Sequence, residues 1–566
     1  MNNIAFSDKL VFVIYFIIVA SYGYWVYHKK KKAVTDTHDF FLAEGSLTWW
    51  AIGASLIASN ISAEQFIGMS GEGFFVGTAV AVYEWIGAAT LIIIAIGFIP
   101  IYLKNKIYTM PQFLKTRYNE TVALIMAIFW LFLYVFVNFT SILYLGALAI
   151  NGLLGGGYLH LVMIVLMFMA LIITLGGMKV IGYTDVIQVA VLIVGGFATV
   201  YLAMEIVDHR INGSIEGNAF AGFKTLLAQA PEHFKMMLPK PDNTDKNAVA
   251  QLARDKYLVL PGIAMYFAGQ WIVNLNYWGC NQYITQRALG AKLETARKGI
   301  LFAALIKIFM PVIVMLPGIA AFVLYKHGQL PGFNGSKDGA YSAILAFLPS
   351  GLKGLAIAAL TAAIVASLAG KANSISTIFT LDVYKKYIKK DATEKNMVII
   401  GRLSIIAAMI IAIIFTWKDL LGIGGEGGFT FIQKYTGFIS PGVFAMFILG
   451  FFWKRTTGTA ALVGMLLGFL LAIFFNNYAV NIFGHETFMY SAFLNKSGIY
   501  EIPFLINMGW SFVITVATMV FISLSGPKVN PKAFEIESSM FKVSTSTIVL
   551  IVAILMLLSA LYIKFW

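Results

Sequence analysis

The chain has 566 residues; 59% are hydrophobic, 12% are charged, and the mean hydropathy is +0.80. Soluble domains carry roughly twice that charged share, which excludes a soluble enzyme or a nucleic-acid-binding protein despite the formal charge of +14. The basic residues fall in loops between apolar runs, where they set orientation in a bilayer. One cysteine, Cys280, leaves no internal disulfide framework to consider.

The first apolar run, 8–28, comes before its lysine cluster, Lys29–Lys32, and no small-residue cleavage site follows it. That order reads as a retained helix with its N-terminus outside, not as a cleaved signal peptide. Windows of about 20 apolar residues give about fourteen spans. Their approximate limits are 8–28, 49–74, 78–103, 121–151, 159–176, 181–206, 259–285, 299–325, 353–385, 397–416, 425–450, 457–476, 507–525 and 545–565. Alternate loops are basic: Lys104, Lys106, Lys115 and Arg117, then Lys179, then Arg287, Lys292, Arg297 and Lys298. Lys385, Lys386, Lys389, Lys390 and Lys395 follow, then Lys454 and Arg455, then Lys528, Lys532 and Lys542. The phase holds to the end, so the expectation is an even number of spans with both termini on the extracellular or periplasmic side of the inner (plasma) membrane. The mixed-charge loop 207–258 reads as a partly helical cap, and 477–506 is the second longest loop.

One stretch stands apart. TWWAIGASLIASNISAEQFIGMSGEGFF, 48–75, is apolar enough to enter a bilayer, yet its middle carries Ser59, Asn60, Ser62, Glu64 and Gln65. Polar groups in hydrocarbon are costly unless protein or water satisfies them, so the expected structure is a helix broken near the midplane and lining a solute or ion site. A tightly packed helix using its small residues is the alternative. The span 259–285 repeats the pattern, with Gln270, Asn274, Asn276, Asn281 and Gln282 around Tyr277 and Trp278. Two interrupted spans, each heading five, form the pattern of an inverted-repeat transporter. The expected blocks are a peripheral first helix with its basic loop (1–48), a first repeat (49–206), an outside loop (207–258), a second repeat (259–450) and three peripheral helices (451–566).

Ionisable residues well inside the spans are few: Glu64, Glu84, Asp185, Lys307 and Lys371, with Asp382 and Lys434 nearer the ends. Such groups face an aqueous cavity or a buried partner. Glu84 and Lys307 neighbour the breaks and suit a polyhydroxylated solute held by charge-assisted hydrogen bonds. Aromatic rings beside amide side chains suit a sugar, whose C–H face stacks while its hydroxyls are bonded. The run GIGGEGG, 422–428, lies in no βαβ context and is expected to let the following span bend at its outer end. No HExxH, GxSxG or P-loop occurs, and all seven histidines lie in loops or at span ends, so neither catalysis nor a histidine metal site is expected. A channel would show a pore filter repeated around an axis, and a sensor would need a signalling domain; neither is seen.

The runs FLAEGSLTWWAIGASLIASNISAEQFIGMSG, YEW, NFTSILYLG, GYTDVIQ, YWGCNQYITQR, KGILFAALIK, LPGIAA, NSISTIFTLDVYKKY and QKYTGFISPG resemble the sodium/solute symporters, in their sodium/glucose branch. The resemblance covers essentially the whole chain and is strongest with bacterial sodium/galactose symporters. It implies an all-α polytopic membrane protein with a five-plus-five inverted repeat and two discontinuous helices, importing a galactose- or glucose-like monosaccharide with Na⁺ by alternating access. It further implies that Gln65, Glu84, Asn274, Lys307 and Gln433 bracket the sugar, and that Tyr277 stacks on it as an inner gate beside Trp278. Met69, Tyr83 and Phe429 would close the outer side, and Asn60 would brace the broken helix and the inner gate. Carbonyls of Ala58, Ile61 and Ala363 would bind Na⁺ together with hydroxyls on the span 353–385. The expected partners are the sugar, Na⁺ and the lipid bilayer, with no obligate protein partner.

Three departures stand out. Gly87 replaces a serine that touches sugar in galactose symporters, and Ala366 precedes Ser367 where relatives have paired serines. An alanine side chain cannot ligate a cation that wants oxygen. Lys371, one turn beyond Ser367 on the same face, replaces an apolar residue. Lys371, paired with Asp185, is therefore a coupling candidate, and a proton-linked or Na⁺-independent transporter is the alternative to Na⁺ symport. Myo-inositol, sialic acid and an amino acid are the alternative solutes.

Overall fold

The structure is a computed structural model, and it describes residues 5–29, 47–62, 64–154, 156–175, 177–245, 247–267, 269–423 and 428–566. Lys30–Lys32 and most of the GIGGEGG run lie outside the described residues. Ten helices among the described residues are long and apolar enough to cross a membrane, or twelve if each of two bent pairs counts as one span. Two of the fourteen sequence windows fall short of that test: Leu159–Thr174 is short, and Trp49–Phe75 is interrupted. The cap at 207–258 is partly helical as expected, with helices Ala219–Gln229 and Ala248–Val259. Strand structure is confined to a two-stranded hairpin, Phe493–Leu494 with Tyr500–Glu501, in the loop after Gly458–Asn477.

The expected break in the first polar span is present. Helix Trp49–Asn60 ends at Ile61, whose backbone is extended (φ −82°, ψ 106°), and the chain resumes as a π-helical turn, Glu64–Met69, then helix Ser70–Phe75. The second polar span breaks at Cys280–Asn281, between helices Gly269–Gly279 and Gln282–Leu289. A further bend of 50° separates Gly428–Gly437 from Ser440–Phe452. It falls at Phe438–Ile439, just before Pro441, which lacks the N–H a continuous helix would need.

The chain divides into two compact units that cut across the sequence blocks. The first comprises residues 1–80, 127–234 and 286–432; the second comprises 81–126, 235–285 and 433–566. In the first unit, helix Trp49–Asn60 lies against Leu293–Val314. A Cβ on Gly53 would sit 2.7 Å from the Gly299 carbonyl oxygen, so glycine on both helices permits this approach. Helix Leu352–Thr377 is buried over nearly its whole length, packed against Gly177–Val207 and Leu159–Thr174.

The second unit is held by aromatic packing and by the buried cation Arg117. Phe113 stacks on Phe447 at 4.5 Å between centroids, and Phe98, Tyr102 and Phe451 complete the cluster. Arg117 is fully buried, and its guanidinium donates to the carbonyls of Gly450, Trp453 and Thr456 at 2.8–3.0 Å. Those carbonyls cluster at the C-terminus of helix Ser440–Phe452, where a helix has no internal donors left and a cation is favoured. Arg117→Ala is expected to cost about 2–4 kcal/mol by stranding these acceptors; thermal melting of the purified protein in detergent should show an unmistakable loss, and an unchanged midpoint would refute the assignment.

Candidate functional site

In the first unit the break is stabilised from within. The Ile61 N–H still reaches the Ile57 carbonyl at 2.8 Å, but no helix continues to take up the last carbonyls, from Ala58 to Ile61. Gln65 folds back so that its Oε1 accepts from the Ser62 N–H at 3.2 Å and from the Ser62 hydroxyl at 3.4 Å. Its Nε2 group makes no hydrogen bond among the described residues, which leaves two donors for a solute hydroxyl. Lys307, buried on helix Leu293–Val314, donates to Asn60 Oδ1 at 2.8 Å. The side chain of Asn60, the last residue of the helix before the break, thus has an ammonium as a partner. Phe429 lies against Gly68, where an added Cβ would come within 2.6 Å of the Phe429 Cβ; the gate candidates Met69 and Phe429 are both buried.

The helix facing the break is Leu352–Thr377. Ala363, Ser367 and Lys371 follow one another at intervals of four and share a face. Ser367 Oγ donates to the Ser59 carbonyl at 3.3 Å, and Lys371 Nζ donates to Ser367 Oγ at 3.1 Å. Ser59 Oγ is buried with no hydrogen-bond partner among the described residues. Freed carbonyls, the Ser367 hydroxyl and this orphaned oxygen are the donor set a hard monovalent cation needs. Ala366 contributes no oxygen to it. Among the described residues no cluster of three His, Cys, Asp or Glu side chains offers an alternative metal site.

Asp185 is buried on helix Gly177–Val207. It accepts from Ser55 Oγ and lies 3.8 Å from Arg287 Nη2, and Arg287 Nε in turn donates to Ser55 Oγ at 2.8 Å. Sequence reasoning missed Arg287 and Ser55. Arg287 looked like one more cytoplasmic loop charge, although a lone aspartate inside a span already required a buried cation somewhere. Gly370 makes room for this group: a Cβ there would sit 2.5 Å from Arg287 Nη2 and 3.1 Å from Ser59 Oγ.

A second network, also missed, ties down the outer half of the break. Glu72, buried on helix Ser70–Phe75, accepts from Lys337 Nζ at 3.2 Å and from Thr430 Oγ1 at 2.8 Å. Next to Lys337, Asp338 accepts the Gly428 N–H at the start of helix Gly428–Gly437. Burial, with the nearby Glu72 charge, pushes the Asp338 carboxyl up to about 6.

The second unit carries the remaining candidates. Glu84 is buried in the first turn of helix Val82–Ile93, where the helix dipole favours a carboxylate. Asn274 Nδ2 donates to the Gln270 carbonyl and to Gln270 Oε1, and Asn276 Nδ2 donates to Ser440 Oγ. The Tyr277 hydroxyl is bonded by Tyr283 across the break, and Trp278 meets the Tyr277 ring edge-on at 5.2 Å. Tyr102 donates to the Gly279 carbonyl at 2.7 Å, while Gln282 Oε1 accepts the Met110 N–H. Tyr83 is buried, and Gln433 is half-buried just before the bend. The candidate contacts are thus shared out: Gln65 and Lys307 belong to the first unit, and Glu84, Asn274, Tyr277 and Gln433 to the second.

A model of the sodium:solute symporter family matches residues 40–468. The chain belongs to this family. Over its full length it is 41% identical to the sodium/glucose cotransporter of Vibrio parahaemolyticus, covering 99% of that protein. It is 33% identical to the sodium/myo-inositol cotransporter 2 of Mus musculus, over 82% of this chain and 69% of the relative. The solved outward-open, substrate-bound structure of a Na⁺-coupled sialic acid symporter superimposes with a TM-score of 0.75 at 20% identity, over 93% of this chain and 99% of that one. The fold is therefore shared with that symporter. This family member is a Na⁺-coupled solute symporter, a multi-pass plasma-membrane protein and not an enzyme.

Two outcomes follow from the buried networks. Arg287→Gln is expected to destabilise the protein by about 3–5 kcal/mol, because it leaves the Asp185 carboxylate buried without its cation. Adding Asp185→Asn should recover most of that loss in thermal melts; a strictly additive double variant would show that the two do not interact. Asp338 binds more protons folded than unfolded between its ordinary value near 3.8 and about 6, so its contribution to stability falls as pH rises through that window. Melting of the wild type relative to Asp338→Asn, followed from acid to neutral pH, should show the wild type losing ground by up to about 2–3 kcal/mol; parallel curves would remove Asp338 from the account.

Proposed function

We propose that this symporter imports a neutral monosaccharide of the galactose or glucose type together with Na⁺. The observation that carries the reading is Gln65: its Oε1 is committed to the break while its Nε2 donors face no protein acceptor among the described residues. Such an amide can donate to a solute hydroxyl oxygen. The full-length likeness to a sodium/glucose cotransporter supports it. Gln65, Glu84, Asn274, Lys307 and Gln433 are the proposed hydroxyl contacts, Tyr277 the stacking ring with Trp278 beside it, and Met69, Tyr83 and Phe429 the outer gate. The contact set holds one carboxylate and one ammonium, so it suits an uncharged polyol better than an acid such as sialic acid. Carbonyls of Ala58, Ile61 and Ala363 with Ser367 Oγ are the proposed Na⁺ ligands. The basic loops support an N-terminus and a C-terminus on the outer side.

Myo-inositol is the second reading, since it is also a neutral polyol and a myo-inositol cotransporter is among the relatives. Gly87, which offers no side-chain hydroxyl to the sugar, is the feature that keeps it in view.

In proteoliposomes an inward Na⁺ gradient should drive accumulation of galactose or glucose, and replacing Na⁺ with choline should abolish it. Myo-inositol and sialic acid in roughly tenfold excess should compete poorly, whereas Gln65→Ala should weaken apparent sugar affinity about tenfold, the value of one or two lost hydrogen bonds. Competition by myo-inositol or sialic acid alone would overturn the assignment of the solute.

A further inference from the structure

The Ser367 hydroxyl is at the centre of the cation site proposed above, and it is already engaged by a cation. It donates its proton to the Ser59 carbonyl and accepts from the ammonium of Lys371, which is completely buried. Helix Trp49–Asn60 ends here, so the negative end of its dipole and its last carbonyls converge on the spot. Ala366 removes one side chain that could otherwise have added an oxygen.

Na⁺ and the ammonium need the same features: a serine lone pair and the field of a helix C-terminus. Arg287 lies against Gly370, already engaged with Asp185 and Ser55. A mobile Na⁺ arriving beside Lys371 would therefore add a further positive charge beside the ammonium, and like charges at contact distance repel strongly even in a polar interior.

We propose that Lys371 is a tethered competitor of Na⁺: its ammonium holds the Ser367 corner of the site in the ion-free carrier, and Na⁺ binds by displacing it. The proposal rests on the reading of the helix break and Ser367 as the Na⁺ site. Its consequence is a Na⁺ affinity set by exchange of one cation for another, so that the ion-free carrier keeps a compensated helix end during the return half of the cycle. Lys371 has a long flexible stem and three rotatable donors, which lets it withdraw along its helix without backbone movement.

The test is Na⁺ binding to the purified full chain in detergent, without any solute, measured with ²²Na⁺ and checked against thermal melting of each variant. Lys371→Met and Lys371→Gln should each bind Na⁺ at about tenfold lower concentration than the wild type, since the competing charge is gone. Lys371→Arg, which keeps the charge, should show no such gain. Ser367→Ala should weaken binding about tenfold or more in either background. If Lys371→Met and Lys371→Gln melt like the wild type and bind Na⁺ within about twofold of it while Ser367→Ala still weakens binding, the competitor role is wrong and the site reading stands. If Ser367→Ala leaves Na⁺ binding intact, the site reading falls and the proposal with it.

Discussion

A helix that stops inside a membrane must find partners for the backbone groups it releases, because hydrocarbon offers none. That constraint organises the first unit. The helix Trp49–Asn60 ends at Ile61, and the surrounding elements converge on its end: Ser367 on the Ser59 carbonyl, Lys307 on the Asn60 side chain, and Gln65 on the resuming turn. The same requirement explains why so many polar residues sit at the centre of an apolar chain. Ser367, Lys307 and Gln65 are among those that bond to the end of this helix or to the turn that follows it.

Charge is managed in the same way. Asp185 is matched by Arg287 and Ser55, Glu72 by Lys337 and Thr430, and Asp382 by Lys386 one turn along its own helix at 2.6 Å. Arg117 in the second unit is buried against carbonyls and the Tyr118 ring, using a helix end as its counter-charge. Structural caps are here built from one vocabulary, that of helix C-termini, hydroxyls and ammonium or guanidinium groups. Ser367 uses all three, donating to the Ser59 carbonyl at a helix end and accepting from the Lys371 ammonium.

The two interrupted spans were legible from Ser59, Asn60, Ser62 and Gln65 and from Asn274, Asn276 and Asn281, because a polar cluster inside an apolar run has few structural solutions. The span limits were legible from hydropathy for the same reason. Arg287 was not, since it follows its span in sequence and looks like a loop residue until the chain folds back to Asp185. Tyr283 and Tyr102, which hold the second break through the Tyr277 hydroxyl and the Gly279 carbonyl, look in the sequence like any membrane aromatic. The helix after the glycine run bends at Phe438–Ile439, where Pro441 removes a donor, while most of the run itself lies outside the described residues. Proline acts wherever it stands, whereas glycine only permits a bend.

By itself, the sequence determined that this protein lives in a bilayer, where its helices run, that two of them break, and which polar residues sit at the breaks. Those properties follow from local composition, since transfer into hydrocarbon is decided residue by residue. Only the tertiary structure decided the partners: that Asn60 meets Lys307, that Asp185 meets Arg287, and that the ammonium of Lys371 lies on Ser367. A side chain's partner depends on which helices pack together. In Ser59 with Ser367, 308 residues apart, that is information no local window contains.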